Sequence, residues 1–232
     1  MRGGVPNRLA TSLFWPVGVA LTSWAYIWRI TVLHRRELDG DLAQDGPPPL
    51  PPGVSAAGVQ RPEDGAGPLL HRTYRSRIRD GGLTAAELMA RLGADPGAAA
   101  PGTLARFDKV EGEPGRMAVG DEFVIHMPGP WDGPVRCVHA DETSFRFATL
   151  DGHLEAGQIE WGAADLPDGT VEFRIESRAR AGDRLSALLH DTLRMAKEVQ
   201  LHMWTSVHEQ VAKLCGGRLT GGIDIETRRA DA

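Results

Sequence analysis

Apolar and polar side chains alternate along residues 171–178. Val171, Phe173, Ile175 and Ser177 fall on one side, and Glu172, Arg174, Glu176 and Arg178 on the other. Successive side chains of a strand point to opposite faces, so this stretch predicts a strand with one dry and one wet face. Phe145 and Phe147 set against Ser144 and Arg146 repeat the pattern, as do Ile159 and Trp161 against Gln158 and Glu160. Phe123, Ile125 and Met127 form another such set, and Val135, Cys137 and His139 a weaker one. Asp151-Gly152 and Asp168-Gly169 punctuate these runs as turns, since Gly tolerates positive φ and Asp supports local turns. Short connections between half-dry strands predict an antiparallel meander.

Downstream the period changes. Leu185, Leu188, Leu189, Thr192, Ala196, Val199, Met203, Val207 and Leu214 recur at helical spacing, and Leu193 and Trp204 widen the stripe. Gly182 breaks the strand, Asp183 is placed to N-cap, and Gly216-Gly217 stops the helix near Cys215. A helix of about 32 residues spans on the order of 48 Å, enough to cross a whole sheet. Its apolar stripe needs a dry partner, and the inner face of the meander supplies one.

Upstream, Leu69–Arg79 reads as the first strand, and Thr84-Ala85-Ala86-Glu87 as a capping box opening a short helix that ends near Gly93. A second short helix is expected from Thr103 to about Phe107. The order is then strand, two short helices, about six strands and a long helix. Residues 218–232, Gly-rich and charged, read as a loosely held tail. Residues 37–68, with Gly46-Pro47-Pro48-Pro49-Leu50-Pro51-Pro52-Gly53, read as a semi-rigid linker.

Residues 9–28 carry no charged side chain, and Trp15, Trp24, Tyr26 and Trp28 would suit a membrane interface. Thr11, Ser12, Thr22, Ser23, Pro16 and Gly18 weaken a bilayer span. Three readings stay open: a span, a surface helix contacting a membrane through residues 9–36, or an apolar helix packed on the domain. The 26 Lys and Arg against 31 Asp and Glu give a net charge of -5, which argues against a nucleic-acid partner. Arg72, Arg75, Arg77 and Arg79 read as the solvated face of a strand, with an anion site as the alternative. Two cysteines, Cys137 and Cys215, lack metal-ligand spacing and fit a reducing, cytoplasmic compartment, with attachment to the inner face of the membrane as the variant. No cofactor and no metal site is implied.

The stretch Thr149-Leu150-Asp151-Gly152-His153-Leu154-Glu155-Ala156-Gly157, with Ile175-Glu176-Ser177-Arg178-Ala179-Arg180 and Met195-Ala196-Lys197-Glu198-Val199-Gln200, resembles the family called domain of unknown function nineteen-ninety. The element order resembles the helix-grip fold of the START-like, or SRPBCC, superfamily, over roughly residues 65–217. The fold class expected is therefore α+β, an antiparallel sheet wrapped around a long C-terminal helix. The resemblance implies a cavity between sheet and helix that takes an apolar small molecule, without catalytic residues to carry over. The residues expected to line it are Phe145, Phe147, His153, Trp161, Phe173, Met195, Val199 and Met203. An enzyme acting on an apolar substrate is the alternative, with His153 and Glu155 as acid and base beside Gln158. A membrane-tethered interaction module with a closed core is another.

Overall fold

The computed structural model describes residues 31–102, 105–127, 132–182 and 190–231, with side chains described from Gln200 onward in the last helix. The apolar stretch 9–28 and the expected cap at Asp183 lie outside the described residues.

Nine strands form one sheet: β1 (Leu33–Asp39), β2 (Ala66–Arg79), β3 (Arg106–Glu111), β4 (Glu122–His126), β5 (Asp132–Ala140), β6 (Ser144–Thr149), β7 (Glu155–Asp165), β8 (Val171–Ala181) and β9 (Arg218–Ala230). Their order across it is β1-β9-β2-β8-β7-β6-β5-β4-β3. The run from β3 to β8 is the expected antiparallel meander, and β2 joins it antiparallel to β8. The long helix α3 (His190–Leu214) follows β8. This is the α+β, helix-grip arrangement expected of the sequence.

The alternation of β8 is obeyed: Val171, Phe173, Ile175 and Ser177 are buried, and their neighbours Arg174 and Arg178 are half-buried. Cross-strand pairing puts Trp161 opposite Ile175 and Phe145 opposite Trp161, so one face becomes continuously aromatic. Thr84 caps α2 (Ala85–Ala94) as a capping box: its hydroxyl accepts from the Glu87 N–H at 3.3 Å, and the Glu87 carboxylate accepts from the Thr84 N–H at 2.8 Å. A 3-10 turn capped by Asp95 occupies Pro96–Ala99; Thr103 and Leu104, where the second short helix is expected to begin, lie outside the described residues, and its expected end at Phe107 is strand. Pro96 at the first position and the Asp95 carboxylate on the Gly97 N–H start this turn.

Two expectations are corrected at the chain's ends. The residues after Gly217 form β9, antiparallel to β2 and parallel to β1, so the sheet is mixed and its C-terminal stretch is no loose tail. Ile223 and Ile225 alternate with Asp224, and the isoleucines are buried against the core. Residues 37–65 are likewise no free tether. They contain the end of β1 and a four-residue helix, α1 (Leu42–Asp45), and then cross the outer face of the sheet as a strap. Gln158 Nε2 donates to the Pro48 carbonyl at 3.0 Å, and Arg136 donates to the carbonyls of Ser55 and Ala57 at 3.1 and 2.8 Å. Gln60 N–H donates to the Thr149 carbonyl at 2.8 Å, and its side-chain amide to the carbonyls of His153 and Gly182 at 3.3 and 3.0 Å. A proline-rich backbone, rich in free carbonyls and poor in N–H groups, makes an acceptor strip for such donors.

Under the strap lies a buried ion network. His71 sits 2.7 Å from Asp45 through Nδ1 and 2.7 Å from Glu176 through Nε2. Glu176 also accepts from Arg174 at 2.8 Å and from Arg178 at 2.7 Å, and Arg174 continues to Glu160 at 2.7 Å.

Gly157, inside the family-like stretch, has a specific steric cause. A Cβ there would lie 2.1 Å from the Arg178 carbonyl and 2.7 Å from the Ala179 Cα. Its N–H donates to the Thr149 hydroxyl at 2.9 Å. Gly157→Ala must therefore push β7 from β8. It is expected to destabilise the protein by about 2 kcal/mol, and a thermal unfolding midpoint equal to wild type would contradict this packing.

Candidate functional site between the sheet and the last helix

The inner face of the sheet carries a connected set of rings. Phe145 meets Phe147 at 5.3 Å and Trp161 at 5.5 Å between centroids, and Phe123 meets Phe147 at 5.4 Å. Trp161 stands edge-on to Phe107, Phe173 and Trp204 at 6.2, 6.2 and 6.1 Å. Edge-to-face geometry of this kind matches the positive ring edge to the negative ring face. Of the eight residues expected from sequence, the structure brings together Phe145, Phe147, Trp161 and Phe173 in this wall, all buried to 2 % exposure or less. Met203 is half-buried and packs against the same core. The side chains of Met195 and Val199 lie outside the described residues.

His153 stands apart from the wall, at the turn into β7. Its Nδ1 lies 2.9 Å from the Glu155 backbone nitrogen and 3.0 Å from the Glu155 carbonyl oxygen, so the ring is held by the backbone of Glu155. Burial lowers the imidazole pKa, and the nearby Glu155 carboxylate only partly opposes this, so the ring is neutral at pH 7. The Glu155 carboxylate turns instead to Gln200, whose amide donates to its two oxygens at 3.2 and 3.1 Å. The two side chains expected to act as acid and base therefore engage different partners.

Several polar groups enter the inner face that the sequence reading did not select. Arg72 does not share a face with Arg75, Arg77 and Arg79. It has the parity of Tyr74 and Ile78, is buried, and donates through Nη1 to Gln200 Oε1, with Glu155 at 4.0 Å. The break in spacing between Arg72 and Arg75 was the available signal. Ser76 Oγ and His208 Nδ1 are 2.6 Å apart, with the His208 ring edge-on to Phe173 at 4.9 Å. On α3, Gln200, Trp204 and His208 follow one another at four-residue spacing, and the buried Thr205 hydroxyl donates back to the Leu201 carbonyl at 2.7 Å. Trp204 is 7 % exposed, and its indole Nε1 is sealed from solvent with no hydrogen-bond partner among the described residues.

At the other end of α3 a cleft of about 280 Å³ opens between Ile78, Gly81, Thr84, Asp165, Val171 and Cys215. Asp165 is already committed there, accepting from the Ala85 N–H at 2.9 Å. Both cysteines are free and buried, and burial pushes the Cys137 thiol up to about 12 and raises that of Cys215. Neither is a nucleophile at neutral pH. Among the described residues no group of His, Cys, Asp and Glu is arranged to hold a metal ion. No helix among them is long and apolar enough to cross a membrane.

A family model described as Domain of unknown function (DUF1990) matches residues 67–209. The chain belongs to this family. In this DUF1990 protein the matched span starts inside β2 and ends inside α3, so it takes in the aromatic wall, Arg72, Gln200 and Trp204 but not β1, the strap or β9. No curated protein matches the chain. Among solved structures it is similar to norcoclaurine synthase from Thalictrum flavum, at 8 % identity and a TM-score of 0.45, covering 70 % of this chain and 92 % of that one. It is also similar to major latex-like protein 151 from Panax ginseng, at 20 % identity and a TM-score of 0.36, covering 58 % of this chain and 98 % of that one. A hypothetical protein from Helicobacter pylori is similar at 8 % identity and a TM-score of 0.45, covering 61 % and 87 %.

Proposed function

We propose that this DUF1990 domain binds a hydrophobic or amphiphilic small molecule between the inner face of its sheet and α3, without transforming it. The observation that carries this reading is the aromatic wall of Phe145, Trp161 and Phe173 facing a helix, with the polar group Arg72, Gln200 and Glu155 gathered at one end. Ligand sites are mostly apolar with a few placed polar groups. The separate engagements of His153 and Glu155 support binding over catalysis. The apolar residues 9–28, with Arg29, Arg35 and Arg36 behind them, support contact with a membrane that would supply such a molecule.

The full chain, purified without detergent, is expected to release a reproducible, near-stoichiometric apolar compound into organic solvent, detected by mass spectrometry. The strap packs on the domain, so it must be kept in the protein tested. A preparation that releases nothing and shows no thermal shift across a panel of lipids and aromatic metabolites would replace this reading with a closed-core interaction module.

A further inference from the structure

The strap follows a single rung of the sheet. His71 on β2, Arg178 on β8, Gln158 on β7, Ala148 on β6 and Arg136 on β5 are successive cross-strand partners. Asp45 lies at His71, the Pro48 carbonyl at Gln158, and the Ser55 and Ala57 carbonyls at Arg136. The chain therefore runs across the strands, from β2 to β5, along one line of side chains.

Its hold on the sheet is uneven. Backbone bonds fix the two ends. The Gly40 N–H donates to the Arg229 carbonyl at 2.8 Å. Beyond the crossing, Val59 bridges Leu150, and the Asp151 N–H donates to the Gly58 carbonyl at 2.9 Å. Between these ends, five of the six residues 47–52 are proline and have no N–H to give to a ladder. Among the described residues, the sheet bonds residues 41–57 through side chains alone: His71, Gln158 and Arg136. Leu50 and Val54, the large apolar side chains of the crossing, are half-buried and stand outside the core. Lifting the crossing thus exposes little of the apolar surface that holds the fold.

Closure also leaves polar atoms unserved. Arg178 Nε and Gln158 Oε1 on the rung, with Arg146 Nε and Arg180 Nε to either side of it, are sealed from solvent and have no hydrogen-bond partner among the described residues. Water reaches such groups once the strap rises, so the closed form forfeits hydrogen bonds that an open form makes. Against this stands one ionic contact at the β2 end, where His71 joins Asp45 to Glu176.

We propose that residues 41–57 are a latched strap that lifts from the outer face as a unit while the sheet stays folded, pivoting at Gly40 and Gly58, with the Asp45–His71 contact as its latch. The open form presents Arg136, Gln158 and Arg178 as a line of donors on the face away from the ring wall.

Hydrogen exchange in the full chain, followed by NMR at neutral pH, reads this opening. The Gln158 side-chain amide reaches the Pro48 carbonyl only when the strap is closed, and its resonance is assigned by its loss in Gln158→Leu. Ile175, paired on both sides within the sheet, reports unfolding of the whole domain. Each rate is taken relative to that of the same group in a free peptide. The Gln158 amide is expected to be protected roughly a hundredfold less than Ile175, and its exchange to be nearly independent of low urea, as a local opening requires. Asp45→Asn keeps the size of the side chain and removes its charge. It is expected to speed exchange of the Gln158 amide about tenfold, the scale of one buried hydrogen bond to a charged group. Protection and urea dependence equal to those of Ile175 in the wild type would show that the strap leaves only when the domain unfolds, which overturns the proposal without any variant. Unchanged Gln158 exchange in Asp45→Asn would overturn the latch.

Discussion

Trp161→Ala is expected to lower the free energy of unfolding by about 4 kcal/mol, read from urea denaturation of the full chain. Trp161 is 1 % exposed and touches four rings, Phe107, Phe145, Phe173 and Trp204. Truncation removes the transfer free energy of a large side chain and leaves a cavity that partners on four different elements cannot all collapse into. It also removes the Trp161–Trp204 contact, one of those that rest α3 on the sheet. A loss below about 1 kcal/mol would mean that the wall is not close-packed, and the helix would then be gripped elsewhere.

The second large effect is electrostatic and belongs to the outer face. Burial alone would raise the Glu176 carboxyl. The His71 hydrogen bond and the charges of Arg178 and Arg174 more than reverse this and hold it at about 2, against an ordinary 4.5. Because the folded value lies below the unfolded one, the stabilisation is fully present above about pH 4.5 and is lost as pH falls toward 2. Linkage puts it at about 3 kcal/mol. Asp45 acts in the same sense: burial opposes ionisation, but the His71 hydrogen bond and the Asp41 backbone N–H lower its pKa. Acid is therefore expected to weaken the fold and, through Asp45 and His71, to release the strap from the sheet.

Glu176→Ala leaves His71, Arg174 and Arg178 facing one another beneath the strap, and is expected to cost about 3–5 kcal/mol at pH 7. Urea midpoints of the wild type and variant at pH 7 and pH 3 check both statements. The gap between the two proteins should shrink at the lower pH. A gap that stays constant would show that Glu176 gains nothing from ionisation in the fold.

The central part of the architecture was legible because its information is local. Alternation in Val171–Arg178, the Asp168-Gly169 turn and the Thr84–Glu87 box each depend on residues a few positions apart, and each appears where expected. The ring wall was legible too, since Phe145, Phe147, Trp161 and Phe173 occupy inward positions of strands whose period is plain. The strap was not legible. Its proline run reads as a spacer because its partners, Gln158 and Arg136, lie 110 and about 80 residues away. Nor was β9, where Gly221 and Gly222 interrupt the alternation and the partner strand β2 comes from the start of the domain.

The amino-acid sequence by itself thus determined the meander, the capped short helix, the gripping helix and the family, all written in short-range periodicity and local words. Only the tertiary structure decided that the strap covers a buried charge network, that Arg72 turns inward, and that Trp204 is sealed without an acceptor. Each of these depends on which distant group arrives opposite, and a side chain's polarity carries no record of that until the chain has closed.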